Sequence, residues 1–450
     1  MRPSAPSALR RNLSLRDLVV FGLLFIGPLA PVGVFGVLDA RANGAVALVY
    51  VIATLAMACT AWSYAQMSRH VPHAGSVFAY ATEGLGVTAG FIAGWMVMLD
   101  YLLIPAVAYL FSGIALHALV PSIPAWVFTI VAFAATTVLN LIGVQLAARV
   151  GRTALAAEIL VLAIFIISAI VVLARQGAVR PWLSPFVGVG ITGGGEALAL
   201  STVAGAVSIA VLSFLGFDAI ASFAEESAGD VRQVGRAIVI CLVIAGTVFI
   251  AQSYLVSVLS TITPAELAAD PARQGTTFYD VTRLAIGGWL ATVLALTKAI
   301  GPAFSAMTGQ AAAARLLYGM AREGRLPASL AMVDPKHGVP RTALATVALL
   351  TLGCAVWAAR RDDGLSVLVS IVDIGALTAF ILLHASVVGY FVVRRRATST
   401  AWHVALPVAG ALVSGWVLIE ASTLAQVVGA IWFGLGVIAF VLSGRTVRSL

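Results

Sequence analysis

Apolar runs long enough to cross a membrane repeat along this chain from one end to the other, and this feature limits its possible folds. A helix needs about 20 mostly apolar residues to cross a hydrocarbon core about 30 Å thick. The chain has 450 residues, of which 61% are hydrophobic and 10% charged. Since soluble proteins carry roughly 25% charged residues, we expect an all-α integral membrane protein.

Twelve of these runs are predicted to be transmembrane helices, and no separate soluble domain is evident between them. One long loop, before the eighth run, is predicted to hold a helix that opens at Thr263-Pro264. The twelve predicted spans are 17–38, 44–67, 85–117, 123–143, 153–174, 198–224, 235–260, 287–318, 342–358, 365–392, 402–420 and 424–443.

The net charge of +8 could indicate a nucleic-acid partner, but the basic residues lie in short loops, where they set membrane topology. An even number of spans puts both termini on one side. That side holds Arg10, Arg11, Arg16, Arg69, Arg149, Arg152, Arg232, Arg236, Arg322, Arg325, Lys336, Arg341, Arg394, Arg395, Arg396, Arg445 and Arg448. The other side holds Arg41, Arg175, Arg180, Arg273, Arg283, Arg360 and Arg361. This bias predicts a multi-pass protein of the cytoplasmic membrane with both termini in the cytoplasm.

Cysteines and catalytic motifs give no sign of an enzyme. Cys59, Cys241 and Cys354 each lie alone in an apolar run, which is typical of buried small side chains rather than of a disulfide or a metal site. The sequence has no HExxH, GxSxG, Walker A or CxxC motif. We therefore predict no enzymatic activity, no cofactor and no metal; any transport would be driven by an ion gradient or by exchange.

The first span contains FIGPLAPVGVFG, residues 25–36, with two prolines and three glycines in the middle of an apolar run. Proline removes a backbone donor and clashes with the preceding turn, so the helix is predicted to break here. The sixth span contains SFLGFDAIASFAEES, residues 213–227, where Gly216 and the acidic Asp218 interrupt the apolar run.

Interrupted helices at matching places in two halves of a chain point to a transporter binding site. The free N–H and C=O groups at such breaks can hold a carboxylate or an amine. The alternative for each segment alone is a proline kink in span one and a packing glycine in span six. Their matched positions favour a site.

The chain resembles the amino acid–polyamine–organocation permeases, and most closely their putrescine-importer-like branch. The resemblance rests on SYAQMSRHVPHAGSVFAYA (63–81), GFIAGWMVMLDYLLIP (90–105), SFLGFDAIASFAEES (213–227) and ARLLYGMAREGRLP (314–327). It implies a LeuT-like fold of twelve transmembrane helices: a 5+5 inverted repeat (about 17–174 and 198–392) plus two C-terminal helices (about 402–443). It also implies alternating access and a substrate held between spans one, three, six, eight and ten.

The resemblance assigns substrate contacts to both breaks and to span three. An aromatic residue of span six, Phe214 or Phe217, would close over the substrate. The substrate-binding residues so implied are Ile26, Gly27, Pro28, Leu29, Ala30, Asp100, Tyr101, Ser213, Phe214, Leu215, Gly216, Phe217 and Asp218.

The chain departs from the family pattern in three places. The usual Gly-Ser-Gly-like turn of span one is Gly-Pro-Leu-Ala-Pro here. Putrescine-type relatives carry an acid just after this break, where this chain has Val32-Gly33. Some proton-coupled relatives have a lysine in span five, where this chain has Glu158. A diamine requires a carboxylate for each ammonium group, so the second departure argues against putrescine.

Ionisable side chains inside a bilayer cost several kcal/mol unless paired, so each is a functional hypothesis. Asp100 either binds a substrate amine or bonds to the broken backbone. Asp218 is predicted to cap free N–H groups rather than to contact substrate. Glu158 is predicted to pair with Arg152 as a structural residue.

Four further residues are candidates for coupling or gating. Lys298 is either an internal cation, a proton carrier or a ligand of a substrate carboxylate; otherwise its side chain snorkels to the interface. Ser305 and Thr308 lie near the expected ion site, or their hydroxyls bond back to their own helix. Asp373 in span ten is a gating or packing group.

The sequence thus predicts a secondary transporter for amino acids or organic amines in a lipid bilayer, coupled to protons or working by exchange. One alternative is a polyamine importer, in which Asp100 with Asp218 or Asp373 supplies two anionic sites. An alternative of another class is a ligand sensor with a transporter fold. The exact substrate and the oligomeric state stay open.

Overall fold

The computed structural model describes residues 13–71, 76–120, 122–142, 144–189, 200–228, 230, 232–322, 324–334, 339–361, 364–395, 400–421 and 423–447. Five of the basic residues used for the topology prediction, Arg10, Arg11, Lys336, Arg396 and Arg448, lie outside these ranges.

The described chain is a bundle of α-helices. In chain order these are α1 (Leu15–Ile26), α2 (Ala30–Arg41), α3 (Val46–His70), α4 (Val77–Leu85), α5 (Val87–Leu119), α6 (Ala125–Ile142), α7 (Val144–Gln176), α8 (Ser184–Val187), α9 (Leu200–Leu212), α10 (Gln233–Leu259), α11 (Pro264–Ala269), α12 (Thr277–Ala285), α13 (Gly288–Arg322), α14 (Arg341–Ala359), α15 (Gly364–Val388), α16 (Trp402–Ile419) and α17 (Thr423–Val447). Short 3₁₀ segments cover Asp218–Glu226, Pro271–Arg273 and Ala328–Ala331, and a π-helical turn covers Gly389–Arg394.

Within the described ranges, nine helices are long and apolar enough to cross a membrane. The pair α1 and α2 passes the same test as one span bent by 43°. Apolar helices of 10–17 residues, Ala125–Val138 and Thr202–Leu212, occupy two more of the predicted spans. An all-helical, multi-pass membrane protein is therefore confirmed.

Burial orders the helices from the centre of the bundle to its rim. In the most apolar window of α5, 89% of the residues are buried, against 17% in α17. A helix that is hydrophobic all round belongs in the interior, whereas large apolar side chains exposed on α16 and α17 suit contact with lipid tails. The α5 helix is thus the central element against which the functional helices pack.

Local signals account for individual helix ends. Ser14 caps α1 and Thr263 caps α11, each in a capping box with an acid three residues on. Pro264 occupies the first turn of α11, where a missing N–H costs nothing. The predicted helix opening at Thr263-Pro264 is confirmed.

Candidate functional site

The first predicted break is present. Helix α1 ends at Ile26, Gly27 adopts a φ of +73°, and α2 begins at Ala30. A positive φ favours glycine because other residues clash there. Pro28 has no N–H to continue α1. We call residues 25–29, the last two residues of α1 and the link to α2, the first break.

Side chains from other helices satisfy the carbonyl groups around the first break. The hydroxyl of Ser305 in α13 donates to the carbonyl of Phe25. The amide Nε2 of Gln252 in α10 donates to the carbonyl of Pro28 at 3.0 Å. The ammonium of Lys298 in α13 donates to the carbonyl of Leu29 at 3.0 Å. The three carbonyl groups carry partial negative charge and lie at the end of α1 or just beyond it.

The second predicted break lies between α9, which ends at Leu212, and the 3₁₀ segment that starts at Asp218. Gly216 has a φ of +113°. A Cβ at this glycine would lie 2.8 Å from Cγ of Phe25, so the two breaks are in direct contact. We call residues 213–217 the second break.

Asp218, the residue after the second break, accepts several hydrogen bonds. Its Oδ1 accepts the N–H of Gly216 at 3.2 Å. Its Oδ2 accepts the hydroxyl of Tyr101 at 2.8 Å and that of Tyr64 at 3.5 Å. A carboxylate here offsets the partial positive charge of the 3₁₀ segment's first turn.

Asp218 is one of three buried carboxyl groups, with Asp100 and Asp373, that we call the aspartate cluster. Asp100 interacts electrostatically with both others. Both carboxyl oxygens of Asp100 and Oδ1 of Asp373 have no hydrogen-bond partner among the described residues. Oδ2 of Asp373 accepts the hydroxyl of Ser208 at 3.4 Å. Buried polar groups without partners are costly, so this cluster is suited to a cationic ligand.

A central cavity lies between the two breaks and is lined by residues of both. Small-molecule sites are mostly apolar with a few polar groups. This cavity fits that description: its polar or charged lining side chains are Glu158, Ser213, Lys298 and Ser305. The apolar lining comes from Phe25, Ile26, Leu29, Ala30, Val34, Ile104, Val107, Ala108, Phe111, Leu212, Leu215 and Pro302, with Gly27.

The structure brings only part of the predicted site residues to this cavity. Those that line it are Ile26, Gly27, Leu29, Ala30, Ser213, Leu215, Lys298 and Ser305. The remaining ones are not among its lining residues: Pro28, Asp100, Tyr101, Phe214, Gly216, Phe217, Asp218, Thr308 and Asp373.

The two aromatic candidates for a lid are packed into the protein. Phe214 is buried against Tyr50 and Phe249. Phe217 is buried against Tyr64 and Phe380. Either ring would have to leave these contacts to cover a ligand in the central cavity.

Lys298 and Glu158 form the charged part of the cavity wall. Lys298 is 6% exposed and bonds to the first break, so the snorkelling alternative is wrong. The Glu158 carboxylate interacts favourably with the N–H of Leu29 and attracts Lys298. The predicted pairing of Glu158 with Arg152 is also wrong, because Glu158 is buried in the cavity wall, where Lys298 is the cation that acts on it. Spans five and eight meet at the first break. The sequence around Glu158 does not indicate this contact, so it does not predict Lys298 as the neighbouring cation.

Ser305 and Thr308, which the sequence could not tell apart, have different roles. Thr308 bonds back to the carbonyl of Phe304 in its own helix at 3.2 Å, whereas Ser305 reaches across to Phe25. Sequence reasoning also missed Gln252, whose only signal was an amide side chain in an apolar span.

Two ion pairs lie at opposite faces of the bundle. On the face where α2 ends, Arg180 makes a bidentate pair with Asp39, with both distances 2.8 Å, and both residues are buried. On the face where Leu13 lies, Arg315 pairs with Glu226 at 2.5 Å and lies over the ring of Phe223. The Leu13 amide donates to the backbone carbonyl of Glu226. This bond joins the segment before α1 to the residue that pairs with Arg315.

No group of three or more His, Cys, Asp or Glu residues in the described part of the chain is arranged to hold a metal ion. Among the described residues, the polar elements of the cavity are the Lys298 ammonium, the Glu158 carboxyl group and the hydroxyls of Ser213 and Ser305.

Comparison with known proteins gives a consistent picture over nearly the whole chain. The family model for amino acid permeases matches residues 18–446. A low-affinity putrescine importer of Escherichia coli K12 is 30% identical over 98% of this chain and 95% of its own length. A branched-chain amino acid permease of Bacillus subtilis is 27% identical over 86% and 82%. A methylthioribose transporter of the same organism is 26% identical over 98% and 95%.

Proposed function

This chain belongs to the amino acid permease family, and from that premise we propose that it binds and moves its substrate at the two breaks. It is a secondary transporter for amino acids or amines. The proposed architecture has twelve transmembrane helices in a LeuT-like 5+5 inverted repeat followed by two more, in one transporter domain, with both termini in the cytoplasm. The bias of basic residues toward the loops on one side supports that orientation.

The observation that carries the proposal is the central cavity between two interrupted helices. Its wall contains residues of both breaks, Ile26 and Leu29 of the first and Ser213 and Leu215 of the second. Half-helix ends at the membrane midplane are the usual ligand sites of transporters built from repeats. A substrate amine fits the carboxyl end of α9, whose carbonyl groups carry partial negative charge.

Alternating access requires the two faces of the bundle to open in turn. The Asp39–Arg180 pair and the Glu226–Arg315 pair hold opposite faces together. We propose that they are the outer and inner gates. Glu226 and Arg315 are 16% and 19% exposed, against 0% and 7% for the other pair. Since exposed pairs are weaker than buried, multiply bonded ones, the inner gate is expected to open more easily.

Coupling to protons or to exchange is proposed for Lys298, Ser305 and Asp373, with Thr308 nearby. Lys298 and Ser305 both bond to carbonyl groups around the first break. A change in the charge of the cavity would therefore act directly on the shape of the break. Asp373 has one oxygen without a partner among the described residues, which suits a group that changes its partners during the cycle.

A polyamine importer is the second candidate, and the aspartate cluster favours it. Three buried carboxyl groups, of which Asp100 has no hydrogen-bond partner among the described residues, can neutralise a dication. The relative at 30% identity is a putrescine importer. In this version the ligand extends from the central cavity past Phe25 to Asp100 and Asp218.

Counterflow in proteoliposomes tests the proposal. Vesicles preloaded with unlabelled amino acids or diamines should accumulate the labelled compound, because exchange through one site concentrates the label. Binding without accumulation would instead indicate a ligand sensor. The matched variants are Gly216→Ala and Gly205→Ala: the first puts a Cβ at a φ of +113° against Phe25, and the second has open space around it.

Gly216→Ala should abolish counterflow and ligand-induced thermal stabilisation, since strain of about 1–2 kcal/mol adds to a collision at the junction of the breaks. Gly205→Ala should keep both within a factor of about two. Full transport by Gly216→Ala would contradict the proposed site.

A further inference from the structure

Every backbone N–H around the first break is accounted for without a ligand. The amide of Gly27 donates to the carbonyl of Leu23, that of Ala30 to Gly27 and that of Val32 to Leu29. Pro28 and Pro31 have no backbone N–H. The one remaining amide in this stretch, that of Leu29, interacts favourably with the carboxylate of Glu158, which lines the cavity beside it.

The amino end of a helix attracts anions through its free N–H groups and its partial positive charge. At the amino end of α2, Glu158 from α7 already supplies the anion. The residue is buried, lines the central cavity and lies against Gly301, where a Cβ would collide with its carboxylate. A substrate carboxylate would find this position occupied.

We propose that Glu158 is a tethered carboxylate that fills the anion position of the first break and makes the transporter select amines over the parent amino acids. This inference rests on the proposed function, because it names the substrate class of the same cavity. It makes Glu158 a specificity-determining residue.

Among the described residues that line the cavity, Lys298 carries the only ammonium group, and this group already has partners. Lys298 donates to the carbonyl of Leu29, lies 5.2 Å from the centre of the Phe111 ring and is attracted by Glu158. Glu158 and Lys298 thus hold the two sides of one residue, Leu29. Their charges cancel, so the pair adds no net attraction for a carboxylate.

The opposite wall of the cavity favours a cation. Leu212 and Ser213, at the carboxyl end of α9, line this wall. The carboxyl end of a helix carries partial negative charge. No charged side chain other than Glu158 and Lys298 lines the cavity within the described residues. An ammonium group therefore gains from this wall, whereas a carboxylate attached to the same ligand gains nothing at the first break.

Ligand pairs that differ by one carboxylate test the inference. Putrescine is ornithine without its carboxylate, and isoamylamine is leucine without its carboxylate. The measurement is the ligand concentration that gives half-maximal thermal stabilisation of the purified full-length protein. For the unmodified protein we expect the amine of each pair to bind at least about tenfold more tightly than its parent amino acid.

Two variants distinguish the effect of the Glu158 charge from the effect of its contact with the backbone N–H of Leu29. Glu158→Ala frees the N–H of Leu29 and leaves Lys298 unpaired, so the preference for the amine should fall by about tenfold or reverse. Glu158→Gln keeps an acceptor for the N–H but removes the charge, and should give a smaller shift in the same direction. Glu420→Gln, the same chemical change at the end of α16, should keep the original preference.

Three outcomes would overturn the inference, and they can be distinguished. A preference of the unmodified protein for the amino acids does so even if neither variant folds. An unchanged preference in both Glu158 variants does so while the proposed binding site stands. If no ligand of either kind stabilises the folded, unmodified protein, the proposed function fails and the inference fails with it.

Discussion

The backbone at the first break is held by side chains from α7, α10 and α13, whereas the second break is held mainly by an acid two residues further along the chain. At the first break the partners are Glu158, Gln252, Lys298 and Ser305. At the second, Asp218 accepts the N–H of Gly216. The first break therefore depends on how three other helices are placed. The main backbone bond of the second break comes from its own segment, although Tyr50, Tyr64 and Tyr101 of α3 and α5 also bond to this region.

This difference has a consequence for transport. If α7, α10 or α13 shifts, the side chains that bond to the first break shift with that helix. The conformation of the first break therefore depends on how the helices of the bundle are arranged. The second break keeps its main hydrogen bond wherever the 3₁₀ segment goes. We expect changes around the first break to alter transport and selectivity, and changes around Asp218 to alter folding.

The largest effect is expected for Lys298→Met. It removes the donor to the Leu29 carbonyl and leaves the buried Glu158 without the cation that attracts it. A buried charge that has lost its counter-charge costs about 3–5 kcal/mol. Thermal unfolding of the purified variant in detergent should occur at a clearly lower temperature, with transport lost.

The double variant Lys298→Met/Glu158→Gln is the control for that experiment. Removing both charges eliminates the uncompensated anion, so most of the lost stability should return. If the double variant is as unstable as Lys298→Met, the two side chains are not coupled, and the first break does not depend on this pair.

An intermediate effect is expected for Asp218→Ala. The change leaves the N–H of Gly216 and the hydroxyl of Tyr101 without an acceptor, which costs about 1–3 kcal/mol for buried groups. Tyr101→Phe removes only one donor and should cost less. Because Asp218 is not among the residues that line the central cavity, the folded fraction of Asp218→Ala should transport with an unchanged KM.

A raised KM would reverse that interpretation. If Asp218→Ala binds diamines much more weakly than monoamines while its stability changes little, Asp218 contacts the ligand and the polyamine candidate gains. Uptake assays with both ligand classes on the same preparation give this comparison directly.

The same contrast explains what the sequence could and could not predict. Proline and glycine act on their own backbone, so the breaks at Gly27 and Gly216 were predictable, as were the apolar spans. The partners of the first break come from residues more than 100 positions away, such as Glu158 and Lys298. No local pattern encodes such contacts. The sequence alone therefore suggests a pair of Glu158 with Arg152 and does not indicate a role for Gln252.

The smallest expected effect separates two hydroxyls on one helix. Ser305→Ala removes the donor to the Phe25 carbonyl at the first break, whereas Thr308→Ala removes a bond within α13. The first should cost about 1 kcal/mol and lower the transport rate, because a carbonyl at the break loses its partner. The second should cost less, because the Phe304 carbonyl belongs to the regular helix. Parallel unfolding and uptake measurements on the two variants check the difference. Equal losses would show that the hydroxyls support the helix alike, and the reach of Ser305 across to α1 would then carry no special role in holding the break open.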